Sequence, residues 1–148
     1  MLVSKAMTHN VRLTSPHQTI QEAARIMAEI DAGALPVGEN DRLVGMITDR
    51  DIAIRAVGLG KSPQTEVGEV MSADVKYCFE DDDLDEVARN MADQQVRRLP
   101  VVNRDKRLVG ILSLGDVAGT EDEKCTGETL AGISRPGGLH SQSGDVRW

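Results

Sequence analysis

An internal repeat is the feature that most constrains how this chain can fold. Residues 3–41 align without gaps on residues 67–105 at an offset of 64, and one extra residue near Lys106 then shifts the offset to 65. The longest matching runs are Leu35-Pro36-Val37 with Leu99-Pro100-Val101, and Arg42-Leu43-Val44-Gly45 with Arg107-Leu108-Val109-Gly110. Because a half of about 55 residues is marginal alone, the duplication predicts two copies of one supersecondary unit that share a folded structure.

Each repeat is predicted to fold in the order β-α-β-β-α. The first strands are expected at Val11–Thr14 and Val75–Phe79, and Thr19 with Glu22 is typical of the capping box that opens a helix. The next strand is expected to open at Pro36 or Pro100, since proline favours the first residue of a strand or an edge. Third strands are predicted at Leu43–Ile47 and Leu108–Leu112, each followed by a second helix from Thr48 or Ser113.

The predicted fold class is α+β, with two repeats packed about a pseudo-twofold axis and a short C-terminal tail. We assign residues 1–62 to the first repeat, 63–120 to the second and 121–148 to the tail. The first repeat continues into an apolar helix at 52–57, whereas the second turns acidic after residue 118. Within the tail, a short helix is predicted over about 123–133 and a flexible end beyond it.

Composition excludes several classes of function. A net charge of −7 and three aromatic residues argue against nucleic-acid binding, which needs basic surface and stacked rings. No apolar run approaches the length of a membrane span. The two cysteines, Cys78 and Cys125, suit neither a disulfide scaffold nor a zinc site, so we expect reduced thiols, a cytoplasmic location and no metal.

The most informative motif is a strand followed by Ser/Thr-x-x-Asp, found at Thr48–Asp51 and again at Ser113–Asp116. One interpretation is a capping box, in which the hydroxyl and the carboxylate only hold the start of a helix. The other is a ribonucleotide site. Unpaired N–H groups at the helix start and the hydroxyl would bind a phosphate, while the carboxylate accepts hydrogen bonds from the ribose diol. Spacing alone does not choose between them.

The repeat resembles the CBS domain, named from cystathionine beta-synthase. The resemblance covers about residues 1–118 and rests on four ordered pieces, each present twice: Val-x-x-x-Met-Ser/Thr, hydrophobic-Pro-Val, Leu-Val-Gly and Ser/Thr-x-x-Asp. A tandem pair of this kind resembles a Bateman module. The resemblance implies clefts between the repeats that bind AMP, ADP or ATP, with S-adenosylmethionine and NAD less expected, and a module that forms homodimers.

The resemblance also implies roles for individual residues. Thr48 and Asp51 would bind phosphate and ribose in the first cleft, and Ser113 and Asp116 in the second. The backbone around Val11 and Val75 would meet the adenine edge, and the base would be walled by Leu35, Pro36, Leu99 and Pro100. Arg50, Arg97 and Arg98 would reach further phosphates, or would lie on a solvated surface or in dimer salt bridges. Since Gly33 and Ala34 stand where the second repeat has two arginines, the two sites are not expected to be equivalent.

We therefore predict a regulatory module that binds adenine nucleotides, needs no cofactor, is not an enzyme, and signals through a homodimer or a regulated protein. The alternative is a structural or protein-interaction module that binds no ligand. A third hypothesis is a subunit whose catalytic partner is another chain.

Overall fold

The computed structural model describes residues 1–119 and 123–133. The predicted end of the second repeat at 120 and the flexible tail beyond 133 lie outside the described residues. The α+β class is confirmed by the elements, which are α1 (Val3–Ala6), α2 (Ile20–Ile30), β1 (Ala34–Glu39), β2 (Arg42–Thr48), α3 (Asp49–Asp51), β3 (Cys78–Phe79), α4 (Leu84–Gln94), β4 (Arg98–Val102), β5 (Leu108–Ser113), α5 (Leu114–Ala118) and α6 (Glu123–Ile133). The tail helix predicted over about 123–133 is thus found as α6.

The chain forms two compact units that do not follow the order of the sequence. One contains residues 10–76 with 104–108, and the other contains residues 1–9 and 77–103 and continues from 109. Residues 3–9 open the first repeat and residues 67–76 open the second. Each of these opening segments lies in the unit that contains the other repeat's strands. The repeat boundaries describe sequence similarity, whereas the units describe packing.

In the unit of residues 10–76, α2 packs against an antiparallel pair, β1 and β2. Thr19 caps α2 by accepting a hydrogen bond from the Glu22 N–H, which is one half of the predicted capping box. The Glu22 carboxylate accepts from Gln18 Nε2 at 3.1 Å instead of completing the box. The core consists of Ile20, Ala23, Met27, Leu35, Val37, Ile47, Ala56, Val67 and Val70. The 3–4 spacing of Ile20, Ala23, Ala24, Met27 and Ile30 predicts one apolar stripe, but Ala24 and Ile30 are exposed.

In the other unit, strands in the order β3-β4-β5 form one sheet, with β3 parallel to β4. The 3–4 spacing of apolar residues in α4 predicts a buried stripe, and the helix buries all four of them: Leu84, Val87, Ala88 and Met91. Helix α6 packs on α4, where Gly132 lies against Ala92. Burial, and secondarily the nearby Asp82 carboxylate, raises the pKa of the Cys78 thiol to about 12, so this thiol is protonated at neutral pH.

The first strands are shorter than predicted. The segment Val11–Thr14 forms only a single parallel bridge at Thr14, and β3 begins at Cys78 rather than Val75. The Thr14 N–H donates to Pro36 O at 3.1 Å. The backbone N and O of one residue point to the same side of a strand, so the Pro36 nitrogen also faces this segment. The next hydrogen bond toward the N-terminus of the segment would need an N–H on Pro36, and proline has none.

The prolines also do not open their strands. β1 begins two residues before Pro36, and β4 begins two residues before Pro100. The Pro36 nitrogen, which carries no hydrogen, faces the short Thr14 segment and not β2. The antiparallel ladder between β1 and β2 therefore continues past the proline without losing a bond.

The apolar helix predicted at 52–57 is helical, and only part of it joins the core. After α3 the chain continues as π-helical turns over Ile52–Ala56 and a 3-10 turn over Val57–Leu59. Only Ala56 is buried in this segment, while Ile54, Val57 and Leu59 are 51%, 68% and 70% exposed. The apolar pattern there marks a surface.

The glycine of each Leu-Val-Gly motif is where an opening segment attaches. Met46 and Ser72 exchange two backbone hydrogen bonds of 2.9 Å, and Thr8 and Ile111 exchange bonds of 2.8 and 3.0 Å. A Cβ on Gly45 would lie 2.7 Å from Ser72 O, and one on Gly110 would lie 2.8 Å from Thr8 O. Only glycine lets the two backbones approach this closely.

We expect Gly45→Val and Gly110→Val each to lower the free energy of unfolding by about 1–3 kcal/mol, because the new side chain must displace backbone. Thermal melts followed by circular dichroism would show a fall of several degrees in Tm. Gly127→Ala is the control, since an added Cβ at this exposed position in α6 meets nothing within 4 Å. A Gly45→Val protein that melts with the wild type would contradict the contact.

Candidate functional site

The two Ser/Thr-x-x-Asp motifs form the same structure at a strand-to-helix junction. Thr48 ends β2, its Oγ1 accepts a hydrogen bond from the Asp51 N–H at 3.0 Å, and Asp51 Oδ2 accepts one from the Thr48 N–H at 3.0 Å. Ser113 and Asp116 repeat this box with bonds of 2.8 and 3.1 Å. The capping interpretation is therefore confirmed in both repeats.

The capping box uses one oxygen of each carboxylate. Asp51 Oδ2 is bonded to the Thr48 N–H, while Oδ1 lies 3.9 Å from Nη1 of Arg55. The Asp51 side chain is 18% exposed, and an ionised carboxylate accepts several hydrogen bonds. The cap thus leaves acceptor capacity on Asp51 that a ligand hydroxyl could use.

Arg55 is a neighbour of the site that the sequence analysis missed. Its Nη1 donates to Met71 O at 3.4 Å as well as lying near Asp51 Oδ1. The signal was present, since residues four apart on a helix face each other. Arg55 therefore places a positive charge beside Asp51, the residue predicted to bind ribose.

The start of α3 does not offer the unpaired amides that the nucleotide interpretation assumed. The Asp49 N–H donates to Gly33 O at 2.9 Å, the Arg50 N–H donates to Asp49 Oδ1 at 2.8 Å, and the Asp51 N–H donates to Thr48 Oγ1. The first three amides are thus all bonded within the protein. A phosphate there would depend on side chains, so the expectation of a ready amide site is wrong for the first repeat.

The second repeat differs at this point. The Leu114 N–H donates to Arg97 O at 2.9 Å, which matches the bond from Asp49 to Gly33. Leu114 stands where the first repeat has Asp49, and its side chain offers no acceptor to the Gly115 N–H. The two junctions share a backbone and differ in charge.

The remaining predicted site residues divide between the two units. Leu35 and Pro36 are buried in β1, and Leu99 and Pro100 are buried in β4. One unit contains Val11, Leu35, Pro36, Thr48, Arg50, Asp51 and Val75; the other contains Arg97, Arg98, Leu99, Pro100, Ser113 and Asp116. Val75, which the sequence grouped with the second set, therefore lies in the same unit as the first. Both valines are half-buried outside the strands, and the three arginines are exposed.

Within residues 1–119 and 123–133, no group of three or more His, Cys, Asp or Glu side chains is placed to hold a metal ion. In the same part of the chain, no helix has the length and apolar character needed to cross a membrane.

The capping boxes make a direct prediction for stability. Asp51→Ala and Asp116→Ala should each lower the free energy of unfolding by about 0.5–2 kcal/mol, because each removes the acceptor for a backbone N–H at a helix start. Asp51→Asn keeps an acceptor oxygen and should lose less. Urea unfolding followed by circular dichroism measures the loss, and unchanged midpoints in both alanine variants would exclude a stabilising cap.

Comparison with known proteins identifies the repeats. The sequence matches the CBS domain family twice, over residues 3–58 and 67–121. It is 44% identical to the CBS domain-containing protein YhcV of Bacillus subtilis over 89% of this chain and 94% of that protein. It is 37% identical to hypoxic response protein 1 of Mycobacterium tuberculosis over 91% of this chain and 95% of that protein.

Solved structures give the same result. Hypoxic Response Protein I with two coordinated zinc ions has a TM-score of 0.73 at 38% identity, covering 80% of this chain and 97% of that one. CBSX2 in complex with AMP has a TM-score of 0.70 at 30% identity, covering 79% and 93%. The CBS domain pair of protein MJ0100, in complex with 5′-methylthioadenosine and S-adenosyl-L-methionine, has a TM-score of 0.69 at 31% identity, covering 80% and 97%. The duplicated sequence, the repeated strand-to-helix junction and these matches show that the chain belongs to the CBS domain family as a tandem pair.

Proposed function

We propose that this protein is a regulatory module that binds an adenosine-type ligand of the AMP, ADP or ATP class through its two Ser/Thr-x-x-Asp junctions. The observation that carries the proposal is the carboxylate of Asp51, which uses Oδ2 to cap a helix and keeps Oδ1 on a partly exposed side chain. Similar CBS pairs were solved with AMP and with 5′-methylthioadenosine and S-adenosyl-L-methionine, which supports the adenosine moiety as the common element.

The proposed contacts follow from the donors and acceptors of the junction. Asp51 Oδ1 would accept hydrogen bonds from the ribose diol. Thr48 Oγ1 already accepts from the Asp51 N–H, so its hydroxyl proton is the part that would donate to a phosphate oxygen. Ser113 and Asp116 would do the same in the second repeat, and the apolar residues of β1 and β4 would contact the base.

We assign a binding role rather than a catalytic one. Within residues 1–119 and 123–133, the hydrogen bonds of Thr48 Oγ1 and Ser113 Oγ are with capping amides and none is with a base that could take the hydroxyl proton, as a nucleophilic hydroxyl needs. The relatives that match over nearly their whole length carry the names of a CBS domain-containing protein and a hypoxic response protein. We propose no resident cofactor, and a cytoplasmic location stays a prediction.

The test of ligand binding is a panel of thermal melts with AMP, ADP, ATP, S-adenosylmethionine and NAD. A ligand present at 100 times its Kd should add about 2.7 kcal/mol, which raises Tm by several degrees for a chain of this size. Asp51→Ala with Asp116→Ala should abolish the shift because both ribose acceptors are lost. Asp93→Ala, an exposed acid on α4, is the matched control and should shift like the wild type.

The second candidate is a structural or interaction module that binds no ligand. It is favoured by the complete capping boxes, which already give Asp51 and Asp116 a structural role. It predicts a flat melting panel together with the loss of stability described above. A selective rise in Tm with any one compound would reject it.

We further propose that the signalling unit is a homodimer that acts on a regulated protein. The support is the exposed apolar surface of Ile54, Val57 and Leu59, which lies on one helical segment. Clustered exposed apolar side chains of this kind are typical of contact surfaces.

The homodimer is tested by light scattering coupled to size exclusion. Leu59→Glu should shift the mass from dimer toward monomer, because a carboxylate would have to be desolvated at the contact. Lys61→Glu changes a neighbouring exposed residue and should leave the mass unchanged. A wild-type protein that is monomeric at micromolar concentration would contradict the proposal.

A further inference from the structure

Two equivalent positions beside the proposed phosphate ligands differ in charge between the repeats. In the first repeat Asp49 follows Thr48 and Gly33 precedes β1; in the second, Leu114 follows Ser113 and Arg97 precedes β4. We propose that Asp49 and Arg97 sort ligands by the charge of the 5′ substituent. The first repeat would accept an adenosine compound without a 5′ phosphate, and the second would accept the 5′ phosphate. This inference rests on the proposed function.

The equivalence of these positions is structural as well as sequential. The Asp49 N–H donates to Gly33 O at 2.9 Å, and the Leu114 N–H donates to Arg97 O at 2.9 Å. In each unit the first helical residue is therefore fixed against the residue that precedes the proline strand. The side chains at these two positions differ in charge between the repeats, while the backbone contact is the same.

The carboxylate of Asp49 is held at the junction. Its Oδ1 accepts from the Arg50 N–H at 2.8 Å, and its Oδ2 lies 2.8 Å from where a Cβ on Gly33 would stand. The carboxylate thus packs over Gly33 and takes the amide that a phosphate oxygen would otherwise use. It also places a fixed negative charge one residue from the Thr48 hydroxyl, which opposes a phosphate there.

Arg50 carries the compensating charge, but the two residues act differently. Both are exposed, and the Asp49 carboxylate is bound to the backbone whereas the Arg50 guanidinium is carried on a long flexible side chain. The Asp49 carboxylate occupies the Arg50 amide that a phosphate could use, and its negative charge repels an anion. An uncharged 5′ group does not need that amide and is not repelled.

The second repeat has the reverse arrangement. Leu114 brings no charge, so the Gly115 N–H meets no side-chain carboxylate from its neighbour. Arg97 and Arg98 are both exposed directly before Leu99 and Pro100. Guanidinium groups bind phosphate oxygens with paired donors, so this repeat favours a phosphorylated ligand.

Single-site proteins test the proposal. Asp116→Ala removes the ribose acceptor of the second site and so leaves only the first, and Asp51→Ala leaves only the second. If an alanine variant does not fold, Asp→Asn at the same position replaces it. Isothermal titration with AMP and with 5′-methylthioadenosine gives a Kd ratio for each site. We expect the second site to prefer AMP, and the first to prefer 5′-methylthioadenosine.

Charge variants then assign the preference to the two residues. Asp49→Asn, in the protein with the first site only, removes the charge and keeps an acceptor for the Arg50 N–H. AMP affinity should rise by roughly fivefold, the order expected for one partly exposed charge pair, and affinity for 5′-methylthioadenosine should not change. Arg97→Gly, with the second site only, should weaken AMP by a similar factor. Both effects should shrink in high salt.

Two failures are distinguishable. Equal AMP to 5′-methylthioadenosine ratios at the two sites, unmoved by Asp49→Asn, would overturn the sorting proposal while adenosine binding stands. No binding of either compound to the wild-type protein would overturn the proposed function, and the sorting proposal with it.

Discussion

The structure depends on the close backbone contact between each opening segment and the glycine of a third strand. Ser72 pairs with Met46 beside Gly45, and Thr8 pairs with Ile111 beside Gly110. Because the opening segment of one repeat completes the unit of the other, neither repeat holds all the residues of its own core. Val3 and Val67, one from each opening segment, are fully buried in this way. Within this chain, the duplication therefore supplies each unit with the opening segment that its own repeat places in the other unit.

The strand-to-helix junction shows why the two interpretations of Ser/Thr-x-x-Asp do not exclude each other. A helix cap needs one carboxylate oxygen and one hydroxyl lone pair, which is the part of Asp51 and Thr48 that the structure uses. A ligand needs the second carboxylate oxygen and the hydroxyl proton. The cap also fixes the rotamer of the acid, so the free oxygen is held in place before any ligand arrives. Binding built on such a group loses less side-chain entropy than binding to a mobile surface acid.

Sequence reasoning predicted those parts of the fold that depend on local pattern. The caps at Thr19, Thr48 and Ser113, the buried stripe of α4 and the α+β class follow from spacing and side-chain chemistry alone. It overextended the strand at Val11–Thr14 because the hydrogen bond that would continue this strand is one that Pro36 cannot make. Predicting this requires knowing which side of β1 the proline nitrogen faces. It also predicted an apolar helix at 52–57 without saying which residues are buried, because periodicity cannot distinguish a face that meets the core from one that stays exposed.

Local sequence pattern could not predict the exchange of opening segments or the position of the Asp49 carboxylate against Gly33, for a related reason. Each depends on which distant backbone comes close: Ser72 to Gly45, and Asp49 to Gly33. The second contact couples two positions within each repeat. A Cβ at 33 would meet the Asp49 carboxylate, and the second repeat combines Arg97 with Leu114. The two positions that differ in charge are joined by the same backbone hydrogen bond in each repeat, so the proposed sorting of ligands needs no difference in backbone.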